Sequence, residues 1–270
     1  MRVRQMSWVA MFPGQGSQQA GMGEELLDKY SNILIDDFEE TLGWSLQETI
    51  LNSNQEEITK TNIAQPYIFT ISYCYGLEAI KKLGLPKVGI GHSLGEYTAL
   101  SLSEILSYKD ALKIISVRGK AMQEAVEGSS TTLAAVLTSN LKETIKSVED
   151  LVEQGVDINI SNYNDASQIV IGGSNEDIDY LKLNPKDLQA KRVIQLDVAG
   201  AFHSPVVSSA KNKVKEAIEE IEFKKGQFSV YMNVDANIAK LSTVKDQLLN
   251  QIDNSVMFYD QILNIEKLNN

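Results

Sequence analysis

Cysteine is nearly absent from this chain: Cys74 is the only one in 270 residues. That excludes an internal disulfide and any metal site built on cysteines. Cys74 lies in the apolar helical stretch "TISYCYGLEAI", which suits a buried structural thiol, since a nucleophilic thiol needs a polar, basic setting. Long apolar runs are also missing: none reaches the ~18 residues of a membrane span. The start, "MRVRQMSWVAMF", has a basic tip, but its apolar run is too short for a signal peptide. The expected location is cytoplasmic. Positive charge is in short supply. Lysine and arginine number 25 against 36 aspartate and glutamate, a net charge of −11. That argues against general binding to nucleic acid or anionic membrane, and any anionic partner must dock on a local basic patch. Histidines number two, and no cluster has metal-ligand spacing, so no metal is expected.

What remains is an ordinary soluble composition, 43% hydrophobic and 23% charged. The length suits one large domain, or a large domain carrying a small one. "WVAMF" (8–12) reads as a buried strand followed by a glycine-rich turn, "PGQGSQ", and then a helix, "EELLDKY". "TNIAQPYIFTISYCYGLEAIKKLG" reads as a long helix with Pro66 in its first turn and Gly84 as its stop. "KVGIG" (87–91) is a second short strand, and "LGEYTALSLSEI" and residues 107–127 are helices. This alternation points to an α/β fold with a mainly parallel sheet. Between 129 and 198 the order becomes β-α-β-β-α-β, the ferredoxin-like pattern. Residues 129–198 are therefore expected to form a small inserted subdomain, and 1–128 with 199–270 the large domain. A helix over 205–222, a strand at "FSVYMNV" and two helical pieces complete the chain.

Gly91-His92-Ser93-Leu94-Gly95 fits G-x-S-x-G. A strand-to-helix elbow needs glycines where the backbone packs tightly, and it exposes the serine oxygen. The bare pattern is weak, but here a strand precedes it and a helix follows. The helix N-terminus beneath Ser93 also favours developing negative charge. His92 is a poor base, because neighbouring side chains on an elbow diverge while a base must come within ~3 Å of the serine oxygen. His203, in "GAFHS", is the other histidine. A lone histidine is usually structural, but this one is the only distant histidine in a chain with a serine elbow.

Arg118 falls on the apolar stripe of its helix, four residues after Ile114, three after Ile115 and four before Met122. A buried guanidinium keeps its proton and needs an anionic partner. Two partners fit: an internal Asp or Glu, or a substrate carboxylate held by two parallel hydrogen bonds. The second suggests an acyl group with a free carboxylate.

Together these stretches carry a resemblance. "FPGQGSQ", "NIAQP", "GHSLGEYTAL", "RGKAMQ", "SNYNDASQIVIGG" and "GAFHS", spread over about residues 8 to 260, make the chain resemble the malonyl-CoA:acyl-carrier-protein transacylases. That family includes free-standing acyltransferases of fatty-acid and modular polyketide synthesis. The resemblance implies an α/β-hydrolase-like large domain with a ferredoxin-like insertion. It makes Ser93 the acylated nucleophile, His203 its general base and acid, and the backbone N–H groups of Gln15 and Leu94 the oxyanion hole. Arg118 would clamp the malonyl carboxylate, Gln65 would help line the same pocket, and Asn162 matches a polar position near it. Phe202, in "AFH", would crowd the α-carbon and favour malonyl over α-methyl-branched units. A backbone carbonyl, matching Gln251, would orient the histidine, with Asp197 a second possibility. The family's usual "PVRW" is "SVMF" here.

The implied reaction is ping-pong, with malonyl-CoA as substrate, an acyl carrier protein as partner and no permanently bound cofactor. A monomer is expected. Cationic docking candidates are Lys186, Lys191 and Arg192, and Lys211, Lys213 and Lys215; an ordinary solvated face is the alternative for them. Two rivals stand beside this reading. A proofreading acyl hydrolase should lack the arginine, and a non-catalytic carrier-protein docking module has no need of the full residue set. A general esterase would be poorly served by an arginine in its acyl pocket. The family pattern continues with a further strand, a glycine-bearing turn and a last helix, whereas this chain stops at "LNIEKLNN". A sheet short of an edge element, or a domain cut from a longer chain, is expected.

Overall fold

The computed structural model describes residues 7–268; the basic tip over 1–6 lies outside them. Seven strands are present among the described residues: β1 (Val9–Phe12), β2 (Val88–Gly91), β3 (Thr131–Leu137), β4 (Ile158–Asp165), β5 (Gln168–Ser174), β6 (Arg192–Gln195) and β7 (Ser229–Val230). The chain divides into two compact units. One holds the residues up to Ala121 with Lys213–Met232 and Asn237–Asp246. The other holds Met122–Asn212, Asn233–Ala236 and the residues from Gln247 on.

In the first unit β2 is the middle strand, paired in parallel with β1 on one side and β7 on the other. All four of its residues are buried, as a central parallel strand requires. The helix Thr61–Leu83 is buried on several faces, with Tyr67, Ile68, Phe69, Ile71 and Cys74 all inside. It starts at Thr61, the first residue of the stretch read as this helix, but Pro66 is not in its first turn. The N–H groups of Ile63 and Ala64 both close onto the Lys60 carbonyl, at 2.9 and 2.8 Å, so Pro66 falls in the second turn. Gly84 ends the helix at φ 79. The two tryptophans, Trp8 and Trp44, also lie here. Trp8 Nε1 donates to the Gly84 carbonyl at 3.1 Å, and Trp44 meets Phe38 edge-on at 4.6 Å. Two expected elements shrink. "EELLDKY" forms only a 3₁₀ turn, Glu24–Leu26, entered through Gly23 at φ 94. "FSVYMNV" keeps two strand residues, because the chain folds back so that Met232 N–H donates to the Asn237 carbonyl.

In the second unit four strands run in the order β4-β5-β3-β6, each neighbour antiparallel. The helices Leu141–Glu153 and Asn175–Leu183 supply Val148, Ile178 and Leu181 to a core with Ala134, Val136, Ile169, Ile171 and Val193. Asn140 and Ser174 cap them, accepting from Glu143 N at 3.4 Å and Asp177 N at 3.0 Å. The units do not follow the expected division at 128 and 198. The segment around Val256 joins β4: Val256 N–H donates to Ser161 O, and Tyr163 N–H to Val256 O, both at 2.9 Å. Ala201 N–H donates to Thr131 Oγ1 at 3.2 Å, which ties the "GAFHS" stretch to β3.

Candidate active site

Ser93 stands where β2 passes into the helix Gly95–Leu102, at φ 52. That left-handed conformation costs a non-glycine residue about 1–2 kcal/mol, so the surrounding backbone must hold it. The two flanking glycines make this possible. A Cβ on Gly91 would lie 1.9 Å from the Gly95 carbonyl carbon, and one on Gly95 would lie 2.4 Å from the Phe12 carbonyl oxygen. His92 is tied into the same turn: its N–H donates to Phe12 O at 3.0 Å and its carbonyl accepts from Gly95 N at 2.9 Å. Both bonds are made by its main chain and fix the turn.

Arg118, in the helix Tyr108–Val126, is fully buried. Its Nη1 donates to Gln65 Oε1 at 2.6 Å and its Nη2 to Ser93 Oγ at 2.9 Å. The guanidinium carbon lies 5.7 Å from the centre of the Tyr97 ring. Burial pulls the Arg118 pKa below its ordinary value, while Tyr97 and the buried Glu96 push it back up. The internal-carboxylate alternative thus has a contributor in Glu96, but the two Nη atoms meet the neutral oxygens of Gln65 and the nucleophile. Residue patterns missed Glu96 and Tyr97, although they stand three and four residues after Ser93, one helical turn away.

Gln15 sits half-buried in the loop after β1, and its Nε2 donates to Thr61 Oγ1 at 3.1 Å. Leu94 precedes the first residue of the helix Gly95–Leu102. Neither the Gln15 nor the Leu94 N–H donates a hydrogen bond among the described residues. Two unengaged backbone donors, one at a helix N-terminus, are the raw material of an oxyanion hole.

In the second unit His203 is buried and also adopts positive φ, 56°. Its Nδ1 pairs with the Gln251 carbonyl oxygen at 2.8 Å. A carbonyl can only accept, so Nδ1 carries the proton and Nε2 is the ring's basic nitrogen. Gln251 is itself fixed: its N–H donates to Gln247 O at 2.9 Å and its Nε2 to Asn233 Oδ1 at 3.4 Å. Asp197 is exposed, and the Gln251 carbonyl occupies the place it would need. Asn159 Nδ2 donates to the His203 carbonyl at 3.2 Å. Phe202 and Asn162 are both buried; Asn162 follows an irregularity in β4 and bridges to Val256. Of the docking candidates, Lys211 is engaged by Asp253 at 2.5 Å, whereas Lys186, Lys191, Arg192, Lys213 and Lys215 are exposed.

The site thus presents a strained serine on an elbow with a buried cation against its oxygen. The chain belongs to the acyl transferase domain family, whose pattern matches residues 9–268. It is 38% identical to the malonyl CoA-acyl carrier protein transacylase of Bacillus subtilis over 95% of this chain and 82% of that protein. It is 31% identical to BaeC, a polyketide biosynthesis malonyl CoA-acyl carrier protein transacylase of Bacillus velezensis, over 93% of this chain and 86% of that one. Among solved structures, the transacylase of Coxiella burnetii superposes with a TM-score of 0.91 at 28% identity, covering all of this chain and 86% of that one. A malonyl-transacylase in complex with its type II polyketide acyl-carrier protein gives 0.89 at 29% identity, covering 98% and 86%.

Proposed function

We propose that this protein is a malonyl-CoA:acyl-carrier-protein transacylase, working through a malonyl-serine at Ser93. The observation that carries the reading is the contact of the buried Arg118 with both Gln65 and Ser93 Oγ. A fixed cation beside the nucleophile suits an acyl group that ends in a carboxylate and serves a neutral acyl group poorly. On this reading the incoming malonyl carboxylate takes over the Arg118 Nη2 that Ser93 now occupies, with Gln65 holding the other side of the guanidinium. His203 Nε2 accepts the Ser93 proton as Oγ attacks the thioester carbon. The oxyanion is held by the N–H groups of Gln15 and Leu94. The C–S bond breaks, His203 returns the proton to the coenzyme A thiolate, and malonyl remains esterified to Ser93. The phosphopantetheine thiol of the carrier then gives its proton to His203 and attacks the ester, and Ser93 is regenerated. The Gln251 carbonyl keeps His203 in the tautomer this cycle needs. Phe202 and Asn162 line the acyl pocket, Phe202 crowding the α-carbon.

The fold reading goes with it: an α/β-hydrolase-like large domain and a ferredoxin-like small one. The second reading is supported by the β-α-β-β-α-β succession with the order β4-β5-β3-β6. We further propose a cytoplasmic monomer whose partners are coenzyme A thioesters and an acyl carrier protein, the kind of partner seen with one structural neighbour. No step needs a metal or a bound cofactor, and no described helix is long and apolar enough to cross a membrane.

Intact-protein mass spectrometry after brief mixing with malonyl-CoA or acetyl-CoA tests the reading. The expected result is a malonyl adduct that disappears in Ser93→Ala, falls at least ~100-fold in rate in Arg118→Ala, and is removed by carrier protein as malonyl-carrier. No adduct on a folded protein would favour a docking module. An adduct formed equally from acetyl-CoA and lost to water despite carrier would favour a hydrolase.

A further inference from the structure

We infer that Thr61 is a positioning residue, holding the proposed oxyanion donor Gln15 in register with the carboxylate anchor; this rests on the function proposed above. Side chains from the helices Gln55–Thr59 and Thr61–Leu83 fasten the loop that follows β1; at its far end the Tyr67 hydroxyl donates to Gln19 O at 3.2 Å and to Met22 O at 2.7 Å. Gln55 bonds the loop twice, donating from Nε2 to Gln18 O and accepting from Ala20 N, both at 3.1 Å. Gln18 Nε2 reaches Thr59 Oγ1 at 3.5 Å, and its Oε1 accepts from Gly16 N at 2.8 Å. Thr61 alone of these touches Gln15, accepting from its Nε2 at 3.1 Å.

Thr61 is also the contact with a fixed back. It is 1% exposed, and a Cβ built on Gly119 would lie 2.9 Å from its carbonyl oxygen and 3.4 Å from Gln65 Cβ. Gly119 is next to Arg118, and Gln65 stands one helical turn beyond Thr61. The helix that carries Thr61 and Gln65 is therefore pressed against the turn that carries Arg118. A hydroxyl on that helix then grips the side chain of Gln15. Moving Gln15 by ~1 Å would misplace its N–H, an error worth up to ~100-fold in rate.

The test compares Thr61→Val, Thr61→Ser, Gln15→Ala and the Thr61→Val/Gln15→Ala double variant. Valine keeps the size and branching of the side chain, leaves the carbonyl that meets Gly119, and removes the acceptor; Gln15→Ala keeps the backbone N–H and removes the side-chain amide. The expected result is a roughly 10-fold fall in kcat for malonyl transfer in Thr61→Val, with KM for malonyl-CoA within about 2-fold of wild type. Thr61→Ser should restore most of the rate. Gln15→Ala should lose about as much as Thr61→Val, and the double variant no more than either. Thermal unfolding of each variant establishes that the fold is intact. Unchanged kcat in a folded Thr61→Val, a loss confined to KM, or a double variant showing the product of the two losses would each overturn the inference while leaving the function standing. A wild-type protein that forms no malonyl-serine would overturn both.

Discussion

At Ser93 the backbone does what its residue type resists. A serine at φ 52 is strained, and the packing of Gly91 and Gly95 against neighbouring backbone keeps it there. Releasing the strain should show as stability. Ser93→Gly is expected to unfold at higher urea than Ser93→Ala, by about 1 kcal/mol, although neither can be acylated. Gly95→Ala should do the reverse: its methyl would meet the Phe12 carbonyl at 2.4 Å, and a loss of about 3 kcal/mol or failure to fold is expected in the same assay. These glycines were legible in the sequence because their requirement is steric and local. Arg118 was legible because a charged residue broke an apolar stripe. Gln251 was found only through family likeness, since a main-chain carbonyl can come from any residue type. Thr61 carried no signal at all: a threonine near a helix start has many ordinary uses, and its partner lies 46 residues away.

The helix Thr61–Leu83 shows how an element answers to pH. Burial pushes the Cys74 thiol from 9.0 up to about 12 and the Tyr67 hydroxyl from 10.0 up to about 12. Burial likewise raises Tyr73 and, on the neighbouring helix, Tyr108. These are acids whose protonated form the folded state prefers. Below about pH 9 their contribution is fully present. Between about 9 and 12 the unfolded chain gives up its protons first, so stability falls as pH rises. The urea midpoint should drop steadily from about pH 9 to about pH 10.5, and Cys74→Ala should show a shallower slope. Long elements such as this one could be read from sequence, because periodicity over many residues survives local exceptions. The helices Asn32–Asp37, Phe38–Leu42, Leu46–Asn52 and Gln55–Thr59 could not: each is too short to display a period. Pro66 misled by one turn, since proline marks a first turn only when the N–H groups before it are not already engaged.

Over the whole chain, the net charge of −11 makes any acidic partner an electrostatic problem. If Lys191 and Arg192 form the local remedy, Lys191→Glu with Arg192→Glu should lower kcat/KM for an acyl carrier protein about 10-fold and flatten or reverse its fall with added salt. Loading from malonyl-CoA, measured alone, should change by less than about 2-fold. The β-α-β-β-α-β succession was visible from alternating patterns, but the limits of the compact units were not. Those limits depend on backbone hydrogen bonds between distant segments, such as Val256 with Ser161 and Tyr163, that no composition shift announces.

Both tryptophans, Trp8 and Trp44, belong to the first compact unit, and the second has none among its residues. Indole emission is therefore a gauge of one half of the molecule. A fluorescence melt would report the sheet of β1, β2 and β7 and its helices, and stay blind to the four antiparallel strands. Circular dichroism sees both. Coincident curves from the two methods would mean that the halves melt as a single cooperative body; separated curves would mean that each has a melting point of its own.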